Sequence, residues 1–424
     1  MKTVPTLNAS TARETTTPLL PIKVCMHVLS CARTDNRVLR EAKALVTDGF
    51  AVSIVDIDSK GIYPFEEDIQ GICVKHILMP RSFMKTRFKK RALFRAANVF
   101  IRSTFHLLQS SADIYHAHDV TALPACYTAA MIRRKPLVFD AHELPLSEIR
   151  VRWDWLSKLS ERLLIGLVRR CSGIITVSSP IAQEICNRFH ASKVSLIRNI
   201  PPYQVIPKSD QLRQHLGLRQ EVRIALYQGY IQSNRGLDKL IRSAAFLEQD
   251  IAIVMMGNGV DSTLTELKAL AIKETVTDRI KIIPAVPYTQ LLEWTASADI
   301  GLIIYEPLKS LNVQMCLPNK LFEYLMAGLP ILATQLEAVS EVLSVYDVGR
   351  IVSSLAPAEV GAAINTMLKD RDALARMSRN ALEVAQHEFY WEKEQLQLIR
   401  LYHDILASHN LEYRQVKLDT SFEK

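Results

Sequence analysis

Short apolar segments rich in β-branched residues alternate with longer segments of helical periodicity along most of this chain of 424 residues. Such alternation is typical of a parallel β-sheet covered by helices on both faces. The first helical segment has Val38, Leu39, Ala42 and Leu45 at helical spacing. Strands are predicted at IKVCMHVL, AVSIVDID, ICVKHIL, ADIYHAH, PLVFDAH, GIITVSS and VSLIRNI, and later at RIALYQG, DIAIVMMG, RIKIIPAV, ADIGLIIY, LPILAT and GRIV.

The alternation is interrupted once, by the stretch NIPPYQVIPKSD, whose prolines and polar tail indicate a linker. We therefore predict two doubly wound Rossmann-like domains that face each other. A cleft then lies at the carboxyl ends of both sheets, where open α/β sheets bind ligands. The predicted divisions are a loose N-terminal arm at 1–21, an N-terminal domain at 22–205, a C-terminal domain at 206–388 and a terminal helical segment at 389–424.

The composition is that of a globular protein, with 48% hydrophobic and 23% charged residues. No run of roughly 18 apolar residues is free of charge, so no transmembrane helix is expected. The first residues lack the apolar core of a secretory signal. The seven cysteines are scattered and form no CxxC pair, which argues against a disulfide framework and a structural zinc site. These features predict a cytoplasmic protein.

The segment from Arg81 to Arg102 holds eight basic residues, no acidic residue and several interleaved apolar side chains. A helix of this kind can lie on an anionic membrane surface, with its rings among the headgroups and its cations near the phosphates. A solvated basic face on an ordinary helix is the alternative. Nucleic-acid binding is not favoured, because no DNA- or RNA-binding module accompanies the segment.

Two glycine-containing loops follow predicted strands of the second half. In YQGYIQSNRGLDKLI the strand ends at Gly229, and Arg235 stands where a helix opens. Exposed amides, the positive end of a helix and an adjacent Arg suit a phosphate or diphosphate. In VMMGNGV, Gly257 and Gly259 permit close approach of a ligand to the backbone. A plain strand–turn–helix explains either loop alone.

The stretch LPNKLFEYLMAGLPIL places charged residues on the opening turn of an apolar helix. Pro318 is suited to a helix start, which leaves the amides of Asn319, Lys320 and Leu321 unpaired. Those amides and the Lys320 ammonium predict an anion site, and Glu323, one turn on, can accept hydrogen bonds from a ribose diol. Simple capping is the alternative, because the helix dipole favours Glu near a helix start.

The first half offers FDAHELP, in which His142 follows a predicted strand at the edge that faces the cleft. A neutral His there can hydrogen-bond a sugar or an acceptor hydroxyl. His118 and Asp119 end the preceding strand and are candidates to line an acceptor pocket, as is Arg37 in the loop after the first strand. For His118 a purely structural role is the alternative.

Taken in order, GYIQSNRGLDKLI, MMGNG, SADIGLIIY and PNKLFEY resemble the retaining, GT-B-fold glycosyltransferases of family 4, also called group 1. The resemblance extends from about Ile22 to Leu406 and is strongest over LPNKLFEYLMAGLPIL. It implies a GT-B fold whose C-terminal helix crosses back to the N-terminal domain. It also implies transfer of a sugar from a nucleoside-diphosphate donor to an acceptor hydroxyl with retention, and chemistry that needs no metal and no cofactor.

Some roles come from the resemblance alone. Glu323 matches the second Glu of the family's Glu-x7-Glu motif and would hold the donor ribose. Arg235 stands where the family usually has a diphosphate-binding Lys, and Tyr230 stands where many members have an Arg. The first motif Glu is replaced by Met315, which leaves the donor sugar and even activity open. His142 resembles the His that many members place beside the donor sugar and the acceptor.

The expected site has three groups of residues. The predicted catalytic residues are His142, Arg235 and Lys320; the donor-binding residues are Gly229, Arg235, Gly257, Gly259, Asn319, Lys320, Leu321 and Glu323; and the acceptor-binding residues are Arg37, His118, Asp119 and His142. The expected donor is a UDP- or GDP-sugar and the expected acceptor is a glycan or a lipid-linked molecule. The implied role is synthesis of bacterial surface polysaccharide or glycolipid, at the inner face of the membrane. The alternatives are a non-catalytic GT-B subunit and a GT-B nucleotide-sugar epimerase or phosphorylase.

Overall fold

The structure, a computed structural model, describes residues 21–79, 89–145, 154–232, 235–307, 310–409 and 411. Nearly all of the predicted N-terminal arm and the first part of the basic segment lie outside the described residues. None of the described helices is both long enough and apolar enough to cross a bilayer.

The first sheet has eight strands in the spatial order β3-β4-β2-β1-β5-β6-β7-β8. Its strands are β1 (Lys23–His27), β2 (Ala51–Asp58), β3 (Glu66–Ile69), β4 (Ile72–Leu78), β5 (Ile114–His118), β6 (Leu137–Ala141), β7 (Gly173–Thr176) and β8 (Ser195–Leu196). The helices between them are α1 (Asn36–Thr47), α2 (Lys89–Gln109), α3 (Asp119–Arg133), α4 (Asp154–Val168) and α5 (Ser179–Phe189). Every pairing is parallel except that of β3 with β4.

Strand β3 is absent from the sequence prediction. Its four residues, EEDI, carry three acids, so the segment lacks the apolar pattern of a buried strand. It forms the sheet edge and a tight hairpin with β4, in which Gln70 and Gly71 both have positive φ angles, 57° and 85°. Two successive residues of this conformation make a turn that suits the strand twist, and charged residues are common on such edges.

The second sheet has six strands in the order β11-β10-β9-β12-β13-β14, all paired in parallel. Its strands are β9 (Arg223–Gln228), β10 (Ile251–Met256), β11 (Ile280–Ile283), β12 (Ile300–Ile303), β13 (Ile331–Thr334) and β14 (Gly349–Val352). The helices are α6 (Gln211–Leu216), α7 (Leu237–Ser243), α8 (Asp261–Lys273), α9 (Leu291–Thr295), α10 (Leu311–Met315), α11 (Asn319–Met326), α12 (Glu337–Tyr346), α13 (Pro357–Lys369) and α14 (Arg371–His387).

The last helix, α15 (Trp391–Ser408), returns to the first sheet. Its buried side chains Leu398, Leu401 and Tyr402 share one apolar cluster with β1, β2 and α1. The opposite face of the same sheet packs on α3 and α5. The predicted architecture of two Rossmann-like sheets with a returning C-terminal helix is therefore confirmed, whereas the exact domain boundaries stay a prediction.

Candidate active site

A cavity of about 900 Å³ lies between the two sheets. Its lining includes His142, which directly follows β6, and Gly229 and Gly257, which directly follow β9 and β10. Residues from both halves of the chain therefore meet at the carboxyl ends of parallel strands, where ligands bind in this class of fold.

Helix α11 presents its first turn to this cavity. Pro318 has an extended backbone and immediately precedes the helix, and Asn319 and Lys320 line the cavity. The Leu321 amide, however, donates to the Pro318 carbonyl at 2.9 Å, and the Leu321 side chain is fully buried. The prediction that Leu321 binds the donor is therefore wrong, because its amide is already used and its side chain belongs to the core.

The Lys320 ammonium is buried and has no hydrogen-bond partner among the described residues. It lies 3.6 Å from the centre of the Tyr227 ring and 5.3 Å from that of Tyr305. Burial, together with nearby Arg235, holds the pKa of Lys320 well below its usual range. An anion entering the cavity would supply the counter-charge that this amine lacks.

Arg235 is the second cation of the cavity wall. Its guanidinium carbon lies 4.6 Å from the centre of the Tyr305 ring, so one aromatic ring contacts both Arg235 and Lys320. Tyr230, at the position where many relatives have an Arg, is half exposed, and its carbonyl accepts a hydrogen bond from the Tyr227 hydroxyl. The diphosphate-binding roles of both cations stay predictions.

Glu323 lies one turn into α11 and also lines the cavity. Its Oε2 accepts a hydrogen bond from Gln228 Nε2 at 2.5 Å, and Gln228 Oε1 accepts one from the Thr295 hydroxyl at 2.7 Å. Burial raises the pKa of Glu323, although the bond from Gln228 opposes that rise. The carboxylate is thus held in place at the end of β9, where it can accept hydrogen bonds from a ligand.

The three glycines of the predicted donor site differ in role. Gly229 has a φ of 120°, and a Cβ there would lie 3.4 Å from the Lys320 ammonium. A Cβ on Gly257 would lie 1.9 Å from the Gly229 carbonyl oxygen, and one on Gly259 would lie 2.6 Å from the Ile231 carbonyl oxygen. Gly229 and Gly257 line the cavity, but Gly259 does not. Gly259 instead lets the loops after β9 and β10 run close together.

His142 is held between two carboxylates. Its Nε2 lies 3.0 Å from Asp140 Oδ2, and its Nδ1 lies 3.6 Å from Asp119 Oδ2. Burial would lower the pKa of His142, but Asp140 and Asp119 outweigh it and raise the pKa to about 9. The expectation of a neutral imidazole is therefore corrected to an imidazolium, which donates hydrogen bonds and cannot act as a base.

The other predicted acceptor residues support His142 rather than form an acceptor pocket. Arg37 is buried and donates from Nε and Nη2 to the two oxygens of Asp140, at 2.8 and 2.7 Å. His118 is fully buried, with its Nδ1 3.1 Å from Asp140 Oδ2. Asp119 has a strained φ of 67° and accepts the His142 backbone amide. Only Arg37 reaches the cavity wall, and its guanidinium is already committed to Asp140.

Four buried side chains beneath His142 approach one another closely enough to suggest a metal site: Glu41, His116, His118 and Asp140. Arg37 lies 3.0 Å from Glu41 and 2.7 Å from Asp140, and its single positive charge can balance only one of these two carboxylates. The rings of His116 and His118 stack 4.3 Å apart with their planes inclined by only 21°. The Nε2 atoms of both imidazoles and both carboxylate oxygens of Glu41 have no hydrogen-bond partner among the described residues. One ligand atom from each of the four side chains lies within 4.8 Å of the others, but the adjacent Arg37 guanidinium repels a cation, and metal-free chemistry stays a prediction.

Helix α10 joins the two halves of the chain. The Leu144 amide donates to Asn312 Oδ1 at 2.9 Å, and the Ser178 hydroxyl donates to the Met315 carbonyl at 2.6 Å. The Met315 side chain packs against the apolar cluster beneath the first sheet. The position that lacks the motif Glu therefore forms an apolar contact across the cleft, and Asn312 and Cys316 line the cavity nearby.

Sequence reasoning missed four residues of the site: Asp140, Tyr227, Gln228 and Tyr305. Each stands in or just after a predicted strand, at its carboxyl end, which is the one signal that could have found them. Asp140 and Gln228 orient His142 and Glu323, whereas Tyr227 and Tyr305 support the two cations.

Comparison with known proteins gives a consistent result. Residues 35–200 match the model of Glycosyltransferase Family 4, and residues 208–384 match that of Glycosyl transferases group 1. The D-inositol 3-phosphate glycosyltransferase of Xylanimonas cellulosilytica is 23% identical over 386 residues, which are 86% of this chain and 90% of the relative. The corresponding protein of Corynebacterium glutamicum is 23% identical over 319 residues, 71% of this chain and 74% of the relative.

Solved structures agree on the fold. Sucrose-phosphate synthase from Thermosynechococcus elongatus superposes with a TM-score of 0.75 at 14% identity, over 91% of this chain and 100% of that one. Anabaena HepE in complex with UDP and glucose superposes with a TM-score of 0.69 at 16% identity, over 90% of this chain and 99% of that one. Since the two family models together span nearly all of both sheets, this chain belongs to family 4 of the GT-B glycosyltransferases.

Proposed function

We propose that this glycosyltransferase moves a sugar from a nucleoside-diphosphate sugar, a UDP-sugar in the first instance, to an acceptor hydroxyl with retention. The observation that carries the proposal is the buried Lys320 ammonium, which lies in the cleft without a hydrogen-bond partner among the described residues. A diphosphate supplies the missing negative charge. HepE has been solved with UDP and with UDP-glucose, which supports UDP over GDP as the first donor to test.

In the proposed mechanism the chain provides charge stabilisation and positioning. Lys320 and Arg235 stabilise the charge that grows on the leaving diphosphate, and Glu323 holds the ribose. Because both nitrogens of His142 face carboxylates, His142 stays protonated and does not deprotonate the acceptor. Its Nε2–H donates to Asp140, whereas its Nδ1–H, 3.6 Å from Asp119, can donate to the sugar or to a diphosphate oxygen. The acceptor hydroxyl attacks from the face that the diphosphate leaves, and its proton passes to a diphosphate oxygen.

The acceptor has two candidates. The basic, apolar surface described below favours a lipid-linked acceptor and hence surface polysaccharide or glycolipid synthesis at the inner face of the membrane. The names of the D-inositol 3-phosphate glycosyltransferases and of sucrose-phosphate synthase favour instead a small phosphorylated acceptor. We place the lipid-linked acceptor first, because it makes use of a surface feature of this chain.

The test is a panel of UDP-, GDP-, ADP- and dTDP-sugars, scored for protection against thermal unfolding and for slow release of free nucleotide. We expect protection by one nucleotide and hydrolysis of one of its sugars. Lys320→Met should abolish the protection, while Lys268→Met, on the exposed face of α8, should leave it unchanged.

Three outcomes contradict the proposal. If the protein is folded but no nucleotide sugar protects it and no free nucleotide is released, a non-catalytic subunit is favoured. Conversion of a donor into an epimer, or into a sugar phosphate, would favour an epimerase or a phosphorylase. If a nucleotide protects wild type and Lys320→Met equally against thermal unfolding, it binds at a position away from Lys320.

A further inference from the structure

The outward side of helix α2 is apolar. Phe94, Ile101 and Phe105 are 65%, 62% and 56% exposed, and their spacing of seven and four residues places them on one side of the helix. A helix on the surface of a globular protein normally presents a polar face to water. This stripe begins inside the predicted basic segment but continues beyond its end at Arg102.

The stripe continues onto helix α3, where Met131 and Ile132 at the last turn are 57% and 61% exposed. The two helices lie side by side, and Arg133 Nη2 donates to the Leu108 carbonyl near the end of α2 at 2.8 Å. Phe94, Ile101, Phe105, Met131 and Ile132 thus belong to one surface, here called the α2–α3 face. Contiguous exposed apolar side chains of this size mark interaction sites.

Positive charge surrounds the α2–α3 face. Helix α2 contains no acidic residue, and the one acid of α3, Asp119, lies at the far end from Met131. Arg95 and Arg102 lie within α2, and Arg134 follows α3. Up to residue 205 the basic residues outnumber the acidic ones by 12, whereas from residue 206 onward the acidic residues are in excess by 4. The face therefore lies on the strongly basic half of the molecule.

The fold also fixes how this face runs relative to the cleft. Strand β4 precedes α2 and β5 precedes α3 in the same parallel sheet, so both helices start at the carboxyl edge of the strands, where the cavity opens, and run back toward the amino edge. Phe94 therefore lies on the cleft side of the α2–α3 face, whereas Phe105, Met131 and Ile132 lie toward the opposite edge of the sheet.

We propose that the α2–α3 face docks this protein on an anionic lipid bilayer. The apolar side chains enter the boundary between headgroups and acyl chains, and the arginines lie near the lipid phosphates. Docking holds the protein at the membrane that carries a lipid-linked acceptor; this consequence, unlike the docking itself, rests on the function proposed above.

The test is flotation of the full chain with vesicles of phosphatidylcholine alone and of phosphatidylcholine mixed with phosphatidylglycerol. We expect wild type to float with the mixed vesicles, and to be released by high salt because exposed charges are screened. The double variant Ile101→Glu/Phe105→Glu should float at least tenfold less. Ile272→Glu, at a 67% exposed position on α8 of the acidic half, should float as wild type does.

Several results would overturn the proposal. The first is that wild type does not float with the mixed vesicles. The second is that wild type floats equally with both vesicle types. The third is that Ile272→Glu loses as much flotation as the double variant does. A change from dimer to monomer in the double variant, seen by light scattering, would show that the face joins two copies of the chain. Protection by UDP against thermal unfolding is measured on the same samples. If wild type is not protected, the proposed function is contradicted. If the double variant is still protected, its fold is intact.

Discussion

The ammonium nitrogen of Lys320 lies 3.6 Å from the centre of the Tyr227 ring in the wall of the cleft. The neighbouring Tyr305 ring contacts both Lys320 and Arg235. Aromatic faces attract cations without neutralising them. The two tyrosines therefore hold the Lys320 amine and the Arg235 guanidinium in position in the wall of the cleft.

Replacing Tyr305 by Leu should weaken binding of UDP by roughly two- to thirtyfold, because an aromatic contact to a cation contributes about 0.5–2 kcal/mol. Binding of uridine, which has no phosphate, should not change. Titration calorimetry with both ligands measures the difference. The comparison is Tyr305→Phe, which keeps the aromatic face and removes only the hydroxyl that interacts with Arg235, so it should bind UDP more tightly than Tyr305→Leu does. Equal losses in the Phe and Leu variants would show that the hydroxyl matters and the ring does not.

Replacing Glu323 by Ala should weaken UDP binding by about 10- to 100-fold, since a hydrogen bond to a charged group contributes roughly 1.5–3 kcal/mol. The loss should be much smaller for a UDP analogue that lacks the ribose hydroxyls, because the carboxylate is proposed to bind them. Glu266→Ala, at an exposed position of α8, serves as the control. A full loss for the deoxy analogue would exclude the ribose as the partner of Glu323.

Replacing Arg37 by Met should lower the free energy of unfolding by about 3–5 kcal/mol, because it removes the guanidinium that contacts the two buried carboxylates of Glu41 and Asp140. Urea unfolding measures the change. Arg376→Met breaks an exposed pair with Asp347 and should cost no more than about 1 kcal/mol. If Arg37→Met does not fold, adding Asp140→Asn should restore folding in part; no recovery would argue against an unpaired charge as the cause.

His142 should make stability depend on pH. Its folded pKa of about 9 lies above the ordinary value of 6.5, so the fold favours the protonated form. This contribution is complete below pH 6.5 and is lost as the pH rises through 9. The difference in unfolding free energy between wild type and His142→Gln should therefore shrink from pH 6.5 to above 9. The control Gln386→Ala, which changes an exposed side chain of α14 that does not titrate, should show no such trend in urea titrations. A constant difference for His142→Gln would mean that the imidazole is neutral.

Replacing Gly257 by Ala should destabilise the protein by about 1–3 kcal/mol and weaken nucleotide binding, because the new methyl group meets the Gly229 carbonyl oxygen at 1.9 Å. Gly166→Ala, in helix α4 with nothing near its Cβ, should stabilise by up to about 1 kcal/mol. Thermal unfolding with and without UDP compares the two variants. A neutral Gly257→Ala would show that the loop after β9 shifts freely.

The linear pattern of this chain determined much of the architecture. The repeated alternation of strand and helix segments predicted every strand but β3, because buried parallel strands are mostly apolar. Local chemistry likewise identified Lys320 and Glu323 as residues of the cleft, since a charged start on an apolar helix stands out in the sequence alone.

Only the tertiary structure decided which polar groups neutralise one another. Arg37 and Asp140 are 103 residues apart, so no local pattern shows that they form a buried pair, or that Asp140 raises the pKa of His142 against the opposing charge of Arg37. The position of Leu321 at a helix start predicts an unpaired amide, but in the structure this amide donates to the Pro318 carbonyl. The outward direction of Ile101 and Phe105 also depends on how α2 packs on its sheet. Sequence periodicity shows which residues share a side of a helix, but the packing decides which side meets water.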